Sequence, residues 1–265
     1  MFTASIIFGA LTGMVMGLTG AGGGILAVPA LVLGLGLGMP QAMPVALMAV
    51  GFAALLGAVD GLRKGLVRYK AGLLMAAAGS VAAPLGVAIA HSVSPEFLTI
   101  VFSMVMLLVS ARMLRQGFKA DSKQASPVAC TKPCMLNPET GRLRWTWKSA
   151  SILTGVGTVS GLLAGMLGVG GGFVIVPAFK QFSNVSMHGV IATSLLIIAL
   201  VSVSSVISAL GAGVAVPTAG WTFIAAAAGG MLAGRRLAPA IPERGLQIGF
   251  GLVTILVAAL LLSQA

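Results

Sequence analysis

Residues 17–31 read GLTGAGGGILAVPAL, and residues 165–179 read GMLGVGGGFVIVPAF. The two stretches stand 148 residues apart and agree at 8 of 15 positions. Each sets a triple glycine and then a proline inside an apolar run. Both residue types interrupt a helix, so each stretch is expected as a break in a membrane helix. Broken helices at corresponding positions of two halves are where repeat-built transporters hold their substrates.

The repetition extends outward from these stretches. Gly9, Gly13 and Gly17 recur as Gly157, Gly161 and Gly165, Gly72 as Gly220, and Gly86 as Gly234. A spacing of four puts each glycine trio on one helix face, where a bare surface lets two helices approach closely in lipid. Composition fixes the setting: 58% of residues are apolar, 8% are charged, and the mean hydropathy is +1.06. So few charges cannot cover a water-soluble surface. Several apolar runs reach about 20 residues, enough to cross roughly 30 Å of hydrocarbon. They are continuous rather than alternating, which argues against a β-barrel. The expected fold is an all-α polytopic membrane protein. The net charge of +11 points to basic cytoplasmic loops rather than to a nucleic-acid partner. The opening MFTASIIFGA has no Lys or Arg, so the charged region of a cleavable signal is missing.

The spacing predicts a long apolar stretch over Ser5–Leu37 and spans over Ala42–Leu62, Ala71–Ala90 and Phe97–Met113. A polar loop follows over Arg115–Lys148. A second long stretch covers Ser149–Phe179, and spans follow over Met187–Leu210, Ala219–Leu237 and Leu246–Leu262. Residues 1–116 are thus expected as a first transmembrane repeat, 117–147 as a cytoplasmic linker, and 148–265 as a second repeat.

A straight helix over Ser5–Leu37 would run about 50 Å, too long for one crossing and too short for two. A break at the glycines resolves this in one of two ways. A full span with a surface segment gives four crossings per half and parallel halves. That arrangement leaves Lys180, Arg235, Arg236 and Arg244 on the side opposite the other 12 basic residues. A re-entrant hairpin gives three crossings per half and inverted halves, with all 16 Lys and Arg residues on one side. Because cytoplasmic loops are rich in Lys and Arg, the second is favoured. Inverted repeats are therefore expected, each a re-entrant helical hairpin plus three transmembrane helices. Both termini would lie on the periplasmic side of a bacterial inner membrane.

The candidate site is the pair of breaks, Gly22, Gly23 and Gly24 with Gly170, Gly171 and Gly172. Unwound backbone within a membrane is tolerated where it lines a cavity or finds partners. A short helix is expected after each triplet, with Pro29 and Pro177 in its first turn. A helix start offers unpaired N–H groups and partial positive charge. Two of them facing each other would hold an anion without a buried lysine. The competing reading is a tight kink that binds nothing. Thr19 lies in the first break, and Thr193 and Ser194 lie in the span after the second. All three are candidate ligands. The first half has no Thr-Ser pair at the matching place. Ser202, Ser204, Ser205 and Ser208 follow, and such hydroxyls commonly bond to their own helix. Asp60, beside Arg63 and Lys64, reads as an interfacial partner of those bases rather than a proton carrier. Cys130 and Cys134 have a C-x3-C spacing that cannot close a zinc site alone. They read as reduced thiols, with a redox or sulfur-handling role as the alternative. No catalytic cluster, metal or cofactor is expected.

At GLTGAGGGILAVPAL, GMLGVGGGFVIVPAF and HGVIATS, over 188–194, the chain resembles the TauE/SafE family of sulfite exporters. The resemblance spans both halves and leaves out only the 117–147 loop. It implies an inner-membrane transporter of sulfite, sulfonates such as sulfoacetate, or related anions, and no enzyme. The reading from residues and resemblance is anion export by alternating access, with the anion held by backbone N–H groups at the two breaks. The alternatives are an anion channel with the same site, or a thiol-dependent membrane protein. The expected partners are the small anion and the lipid bilayer, and assembly into a homo-oligomer is left open.

Overall fold

The computed structural model describes residues 2–20, 23–119, 146–183, 187–211, 217–237 and 243–263. These form ten α-helices: α1 (Phe2–Thr19), α2 (Gly24–Leu35), α3 (Met39–Arg63), α4 (Tyr69–Ser92), α5 (Pro95–Lys119), α6 (Trp147–Leu167), α7 (Gly172–Phe182), α8 (Met187–Gly211), α9 (Thr218–Leu237) and α10 (Glu243–Leu262). Six of them, α1, α3, α4, α5, α6 and α8, are long and apolar enough to cross a membrane. The outer faces are apolar: Ile6 and Leu11 on α1, Val81 and Leu85 on α4, and Leu108 on α5 are all exposed. Ser103, Ser110, Ser160, Ser194 and Ser202 are buried instead. Such an inversion suits lipid as the outer solvent.

Glycine faces determine which helices pair. On α1, a Cβ added at Gly9 would lie 2.6 Å from the Phe223 carbonyl oxygen, and one at Gly17 2.5 Å from that of Met231. Gly13 between them meets the Ala227 backbone. The α1 and α9 axes therefore run in the same direction with backbones in contact. The mates of these glycines do the same on α4: Gly157 meets Met75, Gly161 meets Gly79, and Gly165 meets Ala83. Gly79 and Gly86 on α4, and Gly230 and Gly234 on α9, supply the facing bare surfaces. In lipid such close approach is driven by dispersion packing, since burying apolar area brings no hydrophobic gain there.

The centre is α3 against α8. Gly51 faces Ser202, Gly57 faces Leu195, and Gly61 faces Ala192, so these two helices run antiparallel. Gly72 and Gly79 of α4 meet Thr193 and Val201, so α4 runs with α8. Gly57 also meets Met231, and Asp60, a turn further on, pairs with Arg235, so α3 runs with α9. Thus α1, α3 and α9 share one direction, and α4, α6 and α8 the other. The most extensive pairings, α1 with α9, α4 with α6, α3 with α8 and α5 with α10, all join residues of one half to residues of the other. Arg63, Lys64, Arg68, Lys148 and Arg235 consequently cluster at one end of the bundle.

The short helices α2 and α7 are about 18 and 16 Å long at 1.5 Å per residue. The α2 helix folds back along α1, since a Cβ at Gly34 would meet the Phe8 ring. The sequence predicts Pro29 and Pro177 in the first turn of these helices. Instead α2 and α7 begin at the last glycine of each triplet, and the prolines lie a turn further in. Their rings fit helical φ, and they cost one backbone bond each, onto Ile25 and Phe173.

Candidate functional site

The two breaks meet at the middle of the bundle. Gly20 and Gly168 end α1 and α6 with φ of 81° and 75°, a conformation glycine adopts without penalty. A Cβ at Gly24 would lie 2.7 Å from the Val169 carbonyl oxygen and 3.3 Å from Val50 Cγ1. One at Gly170 would lie 2.9 Å from that same methyl and 3.0 Å from Ile198 Cγ2. Val50 and Ile198 stand near the midpoints of α3 and α8 and are related by the 148-residue offset. The start of α2 and the turn before α7 are therefore neighbours, wedged between the crossing helices. Gly22 lies outside the described residues, as do Cys130 and Cys134.

Different side chains hold the two breaks. The Thr19 hydroxyl donates to the Val15 carbonyl at 2.8 Å and accepts from the Gly23 N–H at 3.2 Å. In the second break Leu167 replaces that threonine, and Ser160 on α6 takes over by donating to the Gly171 carbonyl at 2.9 Å. Gly170 and Gly171 both have positive φ, 73° and 67°. Gly171 lies so close to Ser160 that no side chain fits. Within α7 the first N–H groups with a backbone acceptor are those of Val174 and Ile175, both onto Gly171. The N–H groups of Gly172 and Phe173 precede any intrahelical acceptor. They lie where the α7 dipole is positive.

The predicted hydroxyls part company here. Thr193 faces α4, where its Oγ1 donates to the Gly189 carbonyl at 2.7 Å and accepts from the Arg68 N–H at 2.9 Å. It ties the start of α4 to α8. Ser194 shares a helix face with Ile191 and Ile198, which touch Gly20 and Gly170. Its hydroxyl donates to Ile191 at 2.9 Å. Ser204, Ser205 and Ser208 all donate to carbonyls, of Ser80, Val201 and Ser204.

Ser202 differs from these. It is 1% exposed, and its Oγ has no hydrogen-bond partner. That oxygen would be 3.5 Å from a Cβ at Gly170 and 3.4 Å from one at Gly51. Burying an unpaired hydroxyl costs about 1–3 kcal/mol. It sits beside the turn before α7, where free N–H groups and the α7 dipole converge. Sequence alone does not separate Ser202 from its neighbours. The signal that would have singled it out is its pairing with Gly51, the small residue that admits it.

Asp60 is bound from two sides near the basic end of the bundle. Its Oδ2 lies 3.0 Å from Lys64 Nζ and 2.9 Å from Arg235 Nη2. Arg235 also donates to the Gly57 carbonyl. Asp60 is thus an interfacial partner, with Arg235 from the other half added to the bases beside it in sequence. Among the described residues no three His, Cys, Asp or Glu side chains converge as metal ligands.

The profile of the sulfite exporter TauE/SafE family matches residues 5–261 of the chain. A "Probable membrane transporter protein" of Xylella fastidiosa strain Temecula1 is 31% identical over 189 residues, 71% of this chain. Its counterpart in strain 9a5c is 30% identical over the same length. The match spans 66% of each of these two relatives. The "Probable membrane transporter protein YunE" of Bacillus subtilis strain 168 is 25% identical over 251 residues, 92% of this chain and 89% of its own. No solved structure matches.

Proposed function

The chain belongs to the sulfite exporter TauE/SafE family, and from that premise we propose that it exports a small sulfur oxyanion, sulfite or an organosulfonate, across the bacterial inner membrane by alternating access. The anion sits between Gly23–Gly24 and Gly170–Gly172, where backbone N–H groups replace its hydration shell. Ser202 Oγ adds a donor. Thr19 and Thr193 hold the backbone around it, and Ser194 faces it. The observation that carries this reading is the unpartnered Ser202 hydroxyl, buried beside a turn of free N–H groups where two helix breaks meet.

The repeats are inverted in this reading, with α1–α2 and α6–α7 as re-entrant hairpins. Support comes from the helix directions: α1 and α3 run opposite to their mates α6 and α8. The basic end faces the cytoplasm, which puts both termini in the periplasm. No described carboxylate stands near the breaks, as suits an anionic cargo. With the cytoplasm negative, a monoanion leaves downhill by about 2.3 kcal/mol per 100 mV. Export then needs no coupling ion.

The test is flux of sulfite, sulfoacetate and a plain carboxylate in proteoliposomes under an imposed potential. Saturable movement of a sulfur oxyanion driven by the potential is expected. Flux that rises linearly with concentration would point to the channel alternative. Failure of all three anions under every gradient would overturn the reading.

A further inference from the structure

A cavity of about 410 Å³ opens between α5, α6, α7 and α10. Its inner wall includes Thr19, at the end of α1, and Phe173, in the first turn of α7. It therefore borders both glycine breaks. Its outer end carries Arg112 of α5, Gln181 of α7 and Gln247 of α10, at the basic end of the bundle. Between the two ends the lining is apolar, from Val105, Val109 and Leu163.

Arg112 Nη2 donates to Gln181 Oε1 at 3.2 Å. An amide oxygen accepts a hydrogen bond without cancelling charge. The ion pairs of the described residues all run to Asp60, so Arg112 has no carboxylate partner among them. The guanidinium is held in place by an amide and keeps donors for a ligand. Planar guanidinium and primary amide N–H groups together are donors matched to an oxyanion.

The duplication supplies an internal control. At the 148-residue offset, Arg112 corresponds to Leu260, Gln181 to Leu33 and Gln247 to Thr99. The arginine and both glutamines are missing from the equivalent positions of the other half, which hold two leucines and a threonine. A device for solvating helix ends would serve both halves equally. A device for collecting an anion from one side would not.

We propose that Arg112, Gln181 and Gln247 form an entry subsite that takes up an oxyanion from the cytoplasm before it reaches the glycine breaks. This rests on the transport reading above and gives that path its first station. The cavity leads the anion along an apolar wall towards the free N–H groups of α7. The one-sided charge raises the local anion concentration where export begins.

Two measurements test the subsite. The first is sulfite efflux by Arg112→Gln in proteoliposomes of known orientation. Its KM from the Arg112 side is expected to rise about tenfold or more, the scale of a lost charge-assisted bond. KM from the other side and Vmax from the Arg112 side should stay within about twofold; passive flux fixes the ratio of Vmax/KM for the two directions, so the loss from the other side falls on Vmax. Equal KM changes from both sides, or none, would overturn the proposal.

The second measurement reads occupancy without transport. Ala178→Cys lines the cavity and leaves the trio intact, in a chain with Cys130→Ser and Cys134→Ser. Sulfoacetate, which is inert to thiol reagents, should slow alkylation of the introduced thiol in phosphatidylcholine nanodiscs. Arg112→Gln should remove that protection. Protection by added phosphatidylglycerol but not by sulfoacetate would make the occupant a lipid headgroup and overturn the proposal. Protection without flux of any anion would sustain the subsite and sink the transport reading. Saturable flux with neither protection nor a sided KM change would do the reverse.

Discussion

The Ser202 hydroxyl is buried without a hydrogen-bond partner. It gave up water on burial and found no acceptor in return, so the native state retains a desolvation cost. The expected outcome for Ser202→Ala is a split: thermal stability in detergent unchanged or higher, and sulfite flux down about tenfold, the worth of one hydrogen bond of about 1.4 kcal/mol to a charged ligand. A fall in both would make Ser202 a packing residue. Thr19 gives the opposite pattern. Its oxygen closes the first break by accepting from Gly23, so Thr19→Val should lower stability by about 1–2 kcal/mol, read as a lower melting temperature. The glycine breaks are legible in the sequence, because three glycines in a row before a proline interrupt a helix. Ser202 is not legible there, since six hydroxyls on one helix look alike until their acceptors are seen.

Glycine on a helix has two meanings here, and the neighbours decide between them. Gly161 rests on the Gly79 backbone, with no room for a Cβ, whereas nothing lies within 4 Å of the Cβ position at Gly155 on the same helix. Gly161→Leu should therefore prevent α6 from seating on α4 and abolish folded protein. Gly155→Ala should be neutral or stabilising by up to about 1 kcal/mol through helix propensity. Size-exclusion profiles and melting curves of the two variants check this. The spacing of four announced the packing faces in advance. It could not say that α1 would choose α9 and α4 would choose α6, because every candidate face is equally bare in the sequence. Helix ends shifted for a local reason. The span expected from Ala42 begins at Met39, where Pro40 fits the first turn of α3.

The whole molecule is held together across its halves rather than within them. Each extensive helix pairing has one member on either side of the 117–147 segment, and the Asp60–Arg235 ion pair bridges α3 and α9 in the same way. Residues 1–116 or 148–265 produced alone should fail to accumulate. Produced together as two chains, they should copurify and regain sulfite flux, which a pull-down and a proteoliposome assay would show. The duplication was legible, but the exchange of partners between its copies was not, since it depends on contacts about 80 to 215 residues apart. That exchange sets a timetable for synthesis. The mate of α1 begins about 200 residues after α1 ends, and a ribosome adds about 5–20 residues per second. For roughly 10–40 seconds the bare face of α1 lies in the membrane without its partner, sheltered by lipid or by the insertion machinery. A nascent chain in that interval presents a glycine-smooth surface to any neighbouring helix, so the rate at which the second half emerges becomes part of what makes the protein assemble correctly.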